Sequence, residues 1–176
     1  MDFGILYWLQ SLRSPFLDSV MVTVFNDIVG SKGEFWILLG ILFLLIPKTR
    51  KTGLCLLSAY IIAYYLGDGI LKNLIARPRP CMLDETVELI VSRPSSYSCP
   101  SVHSMLAFAS ASSVFWHHKK LGIGALVFAA LVGISRMYFF VHFPTDVLFG
   151  AVLGFIIGTL VCFFGKKADR KKLSTR

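Results

Sequence analysis

Apolar residues run in long stretches along this chain, and polar ones collect in the gaps between them. The stretches are Phe35 to Pro47, Gly53 to Ile75, Met105 to Trp116, Leu121 to Val141 and Val147 to Gly165. A helix crossing a bilayer needs about 20 residues, fewer where packing or interfacial anchors help. Four of the stretches reach that length with their flanks, while Phe35 to Pro47 is short. An earlier stretch, Pro15 to Val29, carries Asp18, Asn26 and Asp27 and is a weaker span. The pattern predicts an all-α, polytopic membrane bundle of about six transmembrane helices, or five if Pro15 to Val29 packs against the others instead of facing lipid. Met1 to Leu12 reads as an interfacial lead-in with Tyr7 and Trp8 at headgroup level. Asp2 in place of a basic start, and the lack of a small-residue cleavage site, argue against a removable signal. No repeat or linker divides residues 1–176, so a single membrane domain is expected.

Composition agrees. Hydrophobic residues make up 55% of the 176, charged ones 16%, and mean hydropathy is +0.68. Soluble domains carry charges nearer a quarter. The net charge of +8 would suit nucleic acid, but its distribution gives it another meaning. With six helices, twelve Lys and Arg fall on one side: Arg13, Lys48, Arg50, Lys51, Lys119, Lys120 and the six of the tail at 166–176. Six fall on the other: Lys32, Lys72, Arg77, Arg79, Arg93 and Arg136. Basic residues accumulate on the cytoplasmic side. A multi-pass protein of the cell membrane is therefore expected, with both termini cytoplasmic, the basic tail against anionic headgroups, and no nucleic-acid partner.

Three spaced groups of polar residues lie at the ends of the apolar stretches: Lys72-x6-Arg79-Pro80, Pro100-Ser101-Val102-His103, and Ser135-Arg136-x5-His142-x3-Asp146. Pro78 and Pro80 end the helix that carries Lys72. Ser101 suits an N-cap, with His103 in the first turn that follows, and Pro144 opens a helix with Asp146 in its first turn. All three groups then meet at one face. Two of them sit at helix N-termini, where free N–H groups favour an anion. Arg79 and Arg136 can grip phosphate oxygens in bidentate fashion and Lys72 adds a point charge. The histidines lack metal-ligand spacing, and three cations repel a divalent ion, so no metal and no other cofactor is expected. Asp68, one turn before Lys72, either pairs with a site cation or is solvated within the bundle. Arg77 reads as a snorkelling side chain.

The constellation resembles the signature of the type 2 phosphatidic acid phosphatase superfamily, membrane lipid phosphatases related to vanadium haloperoxidases. The likeness covers Lys72 to Asp146, the motif core. Val102 stands where that family usually has glycine. The resemblance implies that His142 attacks phosphorus to form a phosphohistidine, that Asp146 fixes its tautomer, and that His103 protonates the leaving oxygen. Lys72, Arg79, Ser101, Val102, Ser135 and Arg136 would hold the phosphate. It also implies a membrane lipid as substrate, undecaprenyl pyrophosphate first, with phosphatidylglycerol phosphate, phosphatidic acid or lipid A phosphates as alternatives. A catalytically silent lipid-binding member of the fold is the non-enzymatic reading, and oligomeric state is left open.

The remaining candidates are less informative. His117 and His118 lie on the other side from the motifs. Cys55 and Cys162 read as small buried apolar residues. Cys81 and Cys99 bracket the longest polar loop, either as a disulfide or as two free thiols.

Overall fold

The computed structural model describes residues 2–30 and 32–174, with side chains as far as Ala168. The basic tail beyond Ala168 therefore falls outside the described side chains. Every regular element among the described residues is helical. In order they are α1 (Asp2–Ser11), α2 (Pro15–Met21), α3 (Glu34–Leu45), α4 (Arg50–Tyr64), α5 (Lys72–Ile75), α6 (Pro80–Leu83), α7 (Val102–His117), α8 (Lys119–Tyr138) and α9 (Pro144–Ser174). Wider π-helical turns extend α2 over Val22–Ile28 and join α4 to α5 over Tyr65–Leu71.

Two ends can be distinguished. At the motif end gather Lys72, the loop from α6 to α7, the start of α7, the end of α8 and the start of α9. At the far end the α3–α4 and α7–α8 turns meet: Thr52 Oγ1 lies 3.0 Å from His118 Nε2, and the Phe43 ring stacks on that imidazole. Five helical bodies run between the ends: α3, α4 with α5, α7, α8 and α9. Among the described residues three helices are long and apolar enough to cross a membrane, Pro47–Leu83, Lys119–Tyr138 and Pro144–Ala168. At 12 and 16 residues, α3 and α7 fall short of the usual length.

The amino-terminal segment departs from the expected layout. Asp2 pairs with Arg77 at 3.1 Å, and the Tyr7 hydroxyl donates to Asp84 at 2.6 Å. Arg13 donates to the Glu88 carbonyl, Tyr138 to Asp18, and Arg136 to the Phe25 carbonyl. The chain from Asp2 to Gly30 thus stays in the motif half. Its carboxylates Asp2 and Asp18 are spent on Arg77 and Arg13 there, which removes the reason for Pro15 to Val29 to run the length of the bundle. Among the described residues Pro15 to Val29 adds no further helix long and apolar enough to cross a membrane, so the expected count of six is not reached there. The amino terminus lies at the motif end, and α9 leads away from it. Arg13 moves to the motif side, turning twelve against six into eleven against seven.

Helix α7 forms the centre, with eleven of its 16 residues buried. They are mostly Ala and Ser, because neighbouring backbones come very close. Gly150, Gly154 and Gly158 recur every four residues on the face of α9 that meets α7. A Cβ at these positions would lie 2.5 Å from the Ser101 carbonyl, 2.2 Å from that of Met105 and 2.3 Å from that of Ala109. Small residues at this interval let membrane helices pack through their backbones, where apolar attraction between helices is weak. Large apolar residues point outward instead: Leu74 is 77% exposed, Leu148 65% and Leu54 62%. An apolar surface around a core of small residues suits lipid rather than water.

Candidate active site

Each motif sits where its local sequence sends it. The π-helical turn Tyr65–Leu71 ends at Lys72, and Asp68 in that turn receives the Lys72 ammonium at 2.8 Å. The alternatives for Asp68 are thereby resolved in favour of pairing. The helix that carries Lys72 ends at Ile75 with Ala76 in left-handed backbone, two residues before Pro78, and Pro80 opens the short α6, with Arg79 as its N-cap in extended backbone. Ser101 occupies the N-cap of α7, and Pro144 opens α9.

Lys72, Arg79, Val102, His103, Arg136 and His142 line one cavity of about 290 Å³. Lys72, Arg79 and Arg136 are each less than 8% exposed, so this is a buried group of cations. Such a group is costly unless an anion or fixed acceptors offset it. The acceptors are present. Arg79 Nε donates to the Ser96 carbonyl at 2.6 Å and Nη2 to the Ser96 hydroxyl at 3.0 Å; Lys72 reaches that hydroxyl at 3.1 Å. Arg136 is held by the Ser135 hydroxyl at 3.2 Å, the Phe25 carbonyl and the face of the Phe139 ring. The first amides of α7, at Val102 and His103, border the same space and have no carbonyl one turn back to bond.

His142 is 3% exposed. Its Nε2 lies 3.1 Å from Arg79 Nη1, which also donates to the Val141 carbonyl at 2.9 Å. Because an arginine can only donate, Nε2 carries the lone pair and the ring proton sits on Nδ1. Burial pushes the His142 imidazolium down to about 4; Asp146 opposes that shift and Arg79 adds to it. At neutral pH the ring is uncharged, and its Nε2 lone pair accepts from Arg79 at the edge of the cluster of cations.

Asp146 is fully buried behind His142 and does not line the cavity. Its Oδ2 is 3.9 Å from His142 Nδ1, too far for a hydrogen bond. The Ser98 hydroxyl stands between them, donating to Oδ2 at 2.5 Å and lying 3.5 Å from Nδ1. The same oxygen accepts the Phe143 amide at 2.9 Å, and Arg77 donates to Oδ1 at 2.7 Å. Arg77 is therefore no snorkelling side chain: it spans Asp146 and Asp2 and lies over the Phe143 ring.

Two expected phosphate ligands are not at the cavity. The Ser101 hydroxyl faces that of Ser104 at 2.9 Å, and Ser135 donates to the Val132 carbonyl while bracing Arg136. Both are wholly buried in helix contacts, so they shape the site from behind. His103 does line the cavity, with Nε2 3.3 Å from the Gly30 carbonyl. Cys81 and Cys99 are both free thiols, and burial, with Asp146 nearby, pushes Cys99 up to about 11.

Sequence reasoning missed Ser96, Ser98, Asn26 and Lys32, all of which but Ser98 line the cavity. Nothing separates Ser96 and Ser98 from the other serines of a polar loop until the fold brings them to Arg79 and Asp146. Lys32 was counted only as a topological charge.

Known proteins are similar to this chain over most of its length. Over 120 residues the chain is 34% identical to the undecaprenyl-diphosphatase of Sulfolobus acidocaldarius, a match covering 68% of this chain and 58% of that relative's length. It is 34% identical over 172 residues to phosphatidylglycerophosphatase B of Bacillus subtilis, covering 90% of this chain and 80% of the relative. The crystal structure of a transmembrane PAP2-type phosphatidylglycerolphosphate phosphatase from Bacillus subtilis superposes with a TM-score of 0.76 at 35% identity, over 94% of this chain and 85% of that one. The family model for the PAP2 superfamily matches residues 52–170, which contain every motif residue above, and the chain belongs to that superfamily.

Proposed function

We propose that this chain is a membrane phosphatase that hydrolyses a phosphate or diphosphate group carried on a lipid, by way of a phosphohistidine on His142. One observation carries the reading: the unprotonated Nε2 of a buried, neutral histidine faces a cavity lined by Lys72, Arg79 and Arg136. A phosphoryl group drawn in by those cations takes over the Arg79 guanidinium from Nε2 and so frees the lone pair that faces it.

The steps use groups already at the cavity. Phosphate oxygens displace the resting acceptors of Arg79, Lys72 and Arg136, which spread the charge of the transition state. A singly protonated phosphate group first passes its acidic proton to His103 Nδ1; Nε2 of His142 then attacks phosphorus as the bond to the leaving oxygen breaks, and His103 gives that oxygen the same proton. The Gly30 carbonyl holds Nε2 of His103, leaving its Nδ1 for proton exchange. Water then attacks the phosphohistidine, His103 takes the water's proton, and the P–N bond breaks to return His142. The positive charge on the His142 ring during this cycle is offset by Asp146 through Ser98.

A prenyl diphosphate such as undecaprenyl pyrophosphate suits the cavity best, because Lys32 adds a fourth cation and Asn26 further donors for a second phosphate. Phosphatidylglycerol phosphate is the second reading, favoured by the relative that covers 90% of this chain. Five helices would traverse the bilayer, with the site and amino terminus outside and the basic carboxyl end in the cytoplasm, following the eleven-to-seven charge split. Release of inorganic phosphate by the purified protein from a panel of prenyl diphosphates, phosphatidylglycerol phosphate, phosphatidic acid and lipid A tests the assignment. Turnover of none of them would overturn it.

A further inference from the structure

At the far end, where the phosphatase reading uses no residue, three helices bring soft ligand atoms together. Cys55 comes from α4, His117 from the last turn of α7 and Cys162 from α9. Their two sulfurs and an imidazole nitrogen all lie within 4.8 Å of one another. Among the described residues this is the one place where three such side chains converge. We infer that Cys55, His117 and Cys162 form a binding site for a thiophilic d10 metal ion, with zinc as the first candidate.

The geometry is close to what the ion requires. Zinc binds sulfur at about 2.3 Å and imidazole nitrogen at about 2.0–2.1 Å in a tetrahedral arrangement, which sets donor atoms roughly 3.5–3.8 Å apart. Drawing the three donors in by about 1 Å needs only side-chain rotation. Room exists for it. The three residues line a cavity of about 640 Å³, and the absence of a side chain at Gly165 leaves space beside Cys55: a Cβ there would come within 3.8 Å of the sulfur.

Charge favours a metal bound by two thiolates. Loading one divalent ion releases one proton from each thiol, and the complex of two thiolates, a neutral imidazole and the ion is uncharged. A neutral complex can sit between helices without the penalty that an isolated dication would incur. No carboxylate is among the described residues that line the cavity, so magnesium and calcium are ruled out by donor type; Arg50, Lys51 and Lys166 also border it and oppose a dication until the two thiolates neutralise it. With three protein ligands, the fourth position opens toward the cavity for water or a small anion. The ligands are 62 and 45 positions apart in the chain (55 to 117, then 117 to 162). No short spacing motif exists to announce the site, which is why the cysteines read as core residues.

The ion would tie α4, α7 and α9 together at the end opposite the reacting phosphate, without joining the reaction. The test uses the full chain purified in detergent under reducing conditions, loaded with zinc or cobalt(II) and freed of excess metal. One zinc per chain should remain, and the cobalt form should show thiolate-to-cobalt charge-transfer absorption. Cys55→Ser and Cys162→Ser should each abolish that absorption. His117→Ala, in the last residue of α7, should weaken zinc binding by about 10-fold or more while phosphate release stays at the parent rate. Thermal unfolding of the parent should shift upward with added zinc, and that of the variants should not. A parent that retains no zinc, equal retention in all three variants, or a Cys55–Cys162 disulfide in protein isolated without reductant would each overturn the site. None of these results bears on phosphate release, so the proposal can fail while the phosphatase reading stands.

Discussion

Ser98 and Asp146 are joined by a hydroxyl-to-carboxylate hydrogen bond of 2.5 Å, and it occupies the carboxylate oxygen nearest His142. The histidine and the carboxylate lie four residues apart in sequence, but they communicate through a residue from a different loop. Ser98→Ala should therefore lower kcat while leaving KM close to the parent value, since the side chain touches no substrate. Leaving a buried acceptor short of a donor costs about 1–3 kcal/mol, so a loss on the order of 10-fold is expected. Ser98→Thr should recover much of it. An unchanged kcat in Ser98→Ala would mean that Asp146 acts on His142 without the serine.

The low value of His142 sets a pH dependence. The nucleophile is unprotonated above about 4, so kcat/KM should show no acid limb from this residue near pH 6.5, and a fall only as pH approaches 4. The same shift acts on stability. The unfolded histidine binds a proton near pH 6.5, whereas the folded one resists it. Stability is thus complete above about 6.5 and is lost progressively as pH falls from there toward 4. Thermal unfolding across that range should be less steeply pH-dependent in His142→Gln than in the parent. An equal slope in both would remove His142 as the cause.

Backbone contact between α7 and α9 leaves no room for side chains on the glycine face. Gly154→Ala places a carbon 2.2 Å from the Met105 carbonyl, so the helices must separate. Overpacking of this kind costs about 1–3 kcal/mol. A lower unfolding temperature in detergent is expected, together with reduced turnover because both helices carry site residues. Gly124, whose Cβ would meet nothing within 4 Å, serves as the control, and Gly124→Ala should be silent.

The arrangement of ends can be read with a membrane-impermeant thiol reagent in intact cells. Cysteines placed at Ser95 and at Ser11 should both be labelled, and one at Lys167 should be protected. Labelling at Ser95 without Ser11 would contradict the placement of α1 beside the site, and the reverse pattern at Ser95 and Lys167 would turn the site toward the cytoplasm.

Much of this was legible in the sequence, for identifiable reasons. Apolar stretches long enough for a bilayer have few folds open to them, so an all-helical bundle followed from length and hydropathy. Prolines at 78, 80, 100 and 144 lie close to where helices stop and start, and that brought Lys72, Arg79, His103, Arg136 and His142 to one end. The path of residues 2–30 was not legible. It depends on Asp2 meeting Arg77 and on Asp18 meeting Tyr138, contacts that join distant parts of the chain. The directions of the Ser101 and Ser135 hydroxyls were not legible for a related reason: helix rotation turns them into the bundle, toward Ser104 and the Val132 carbonyl. The cluster of Cys55, His117 and Cys162 depends wholly on tertiary packing.

Identification of the covalent intermediate tests the central claim most directly. A single turnover with substrate radiolabelled in its terminal phosphate, quenched in base to preserve phosphohistidine, should leave label on the peptide that contains His142. A His103→Ala variant, which lacks the group used both in forming and in hydrolysing the intermediate, should gain and lose label more slowly than the parent, and His142→Ala should show neither label nor turnover. Turnover by His142→Ala, or a burst of product with no label on the His142 peptide, would contradict the account.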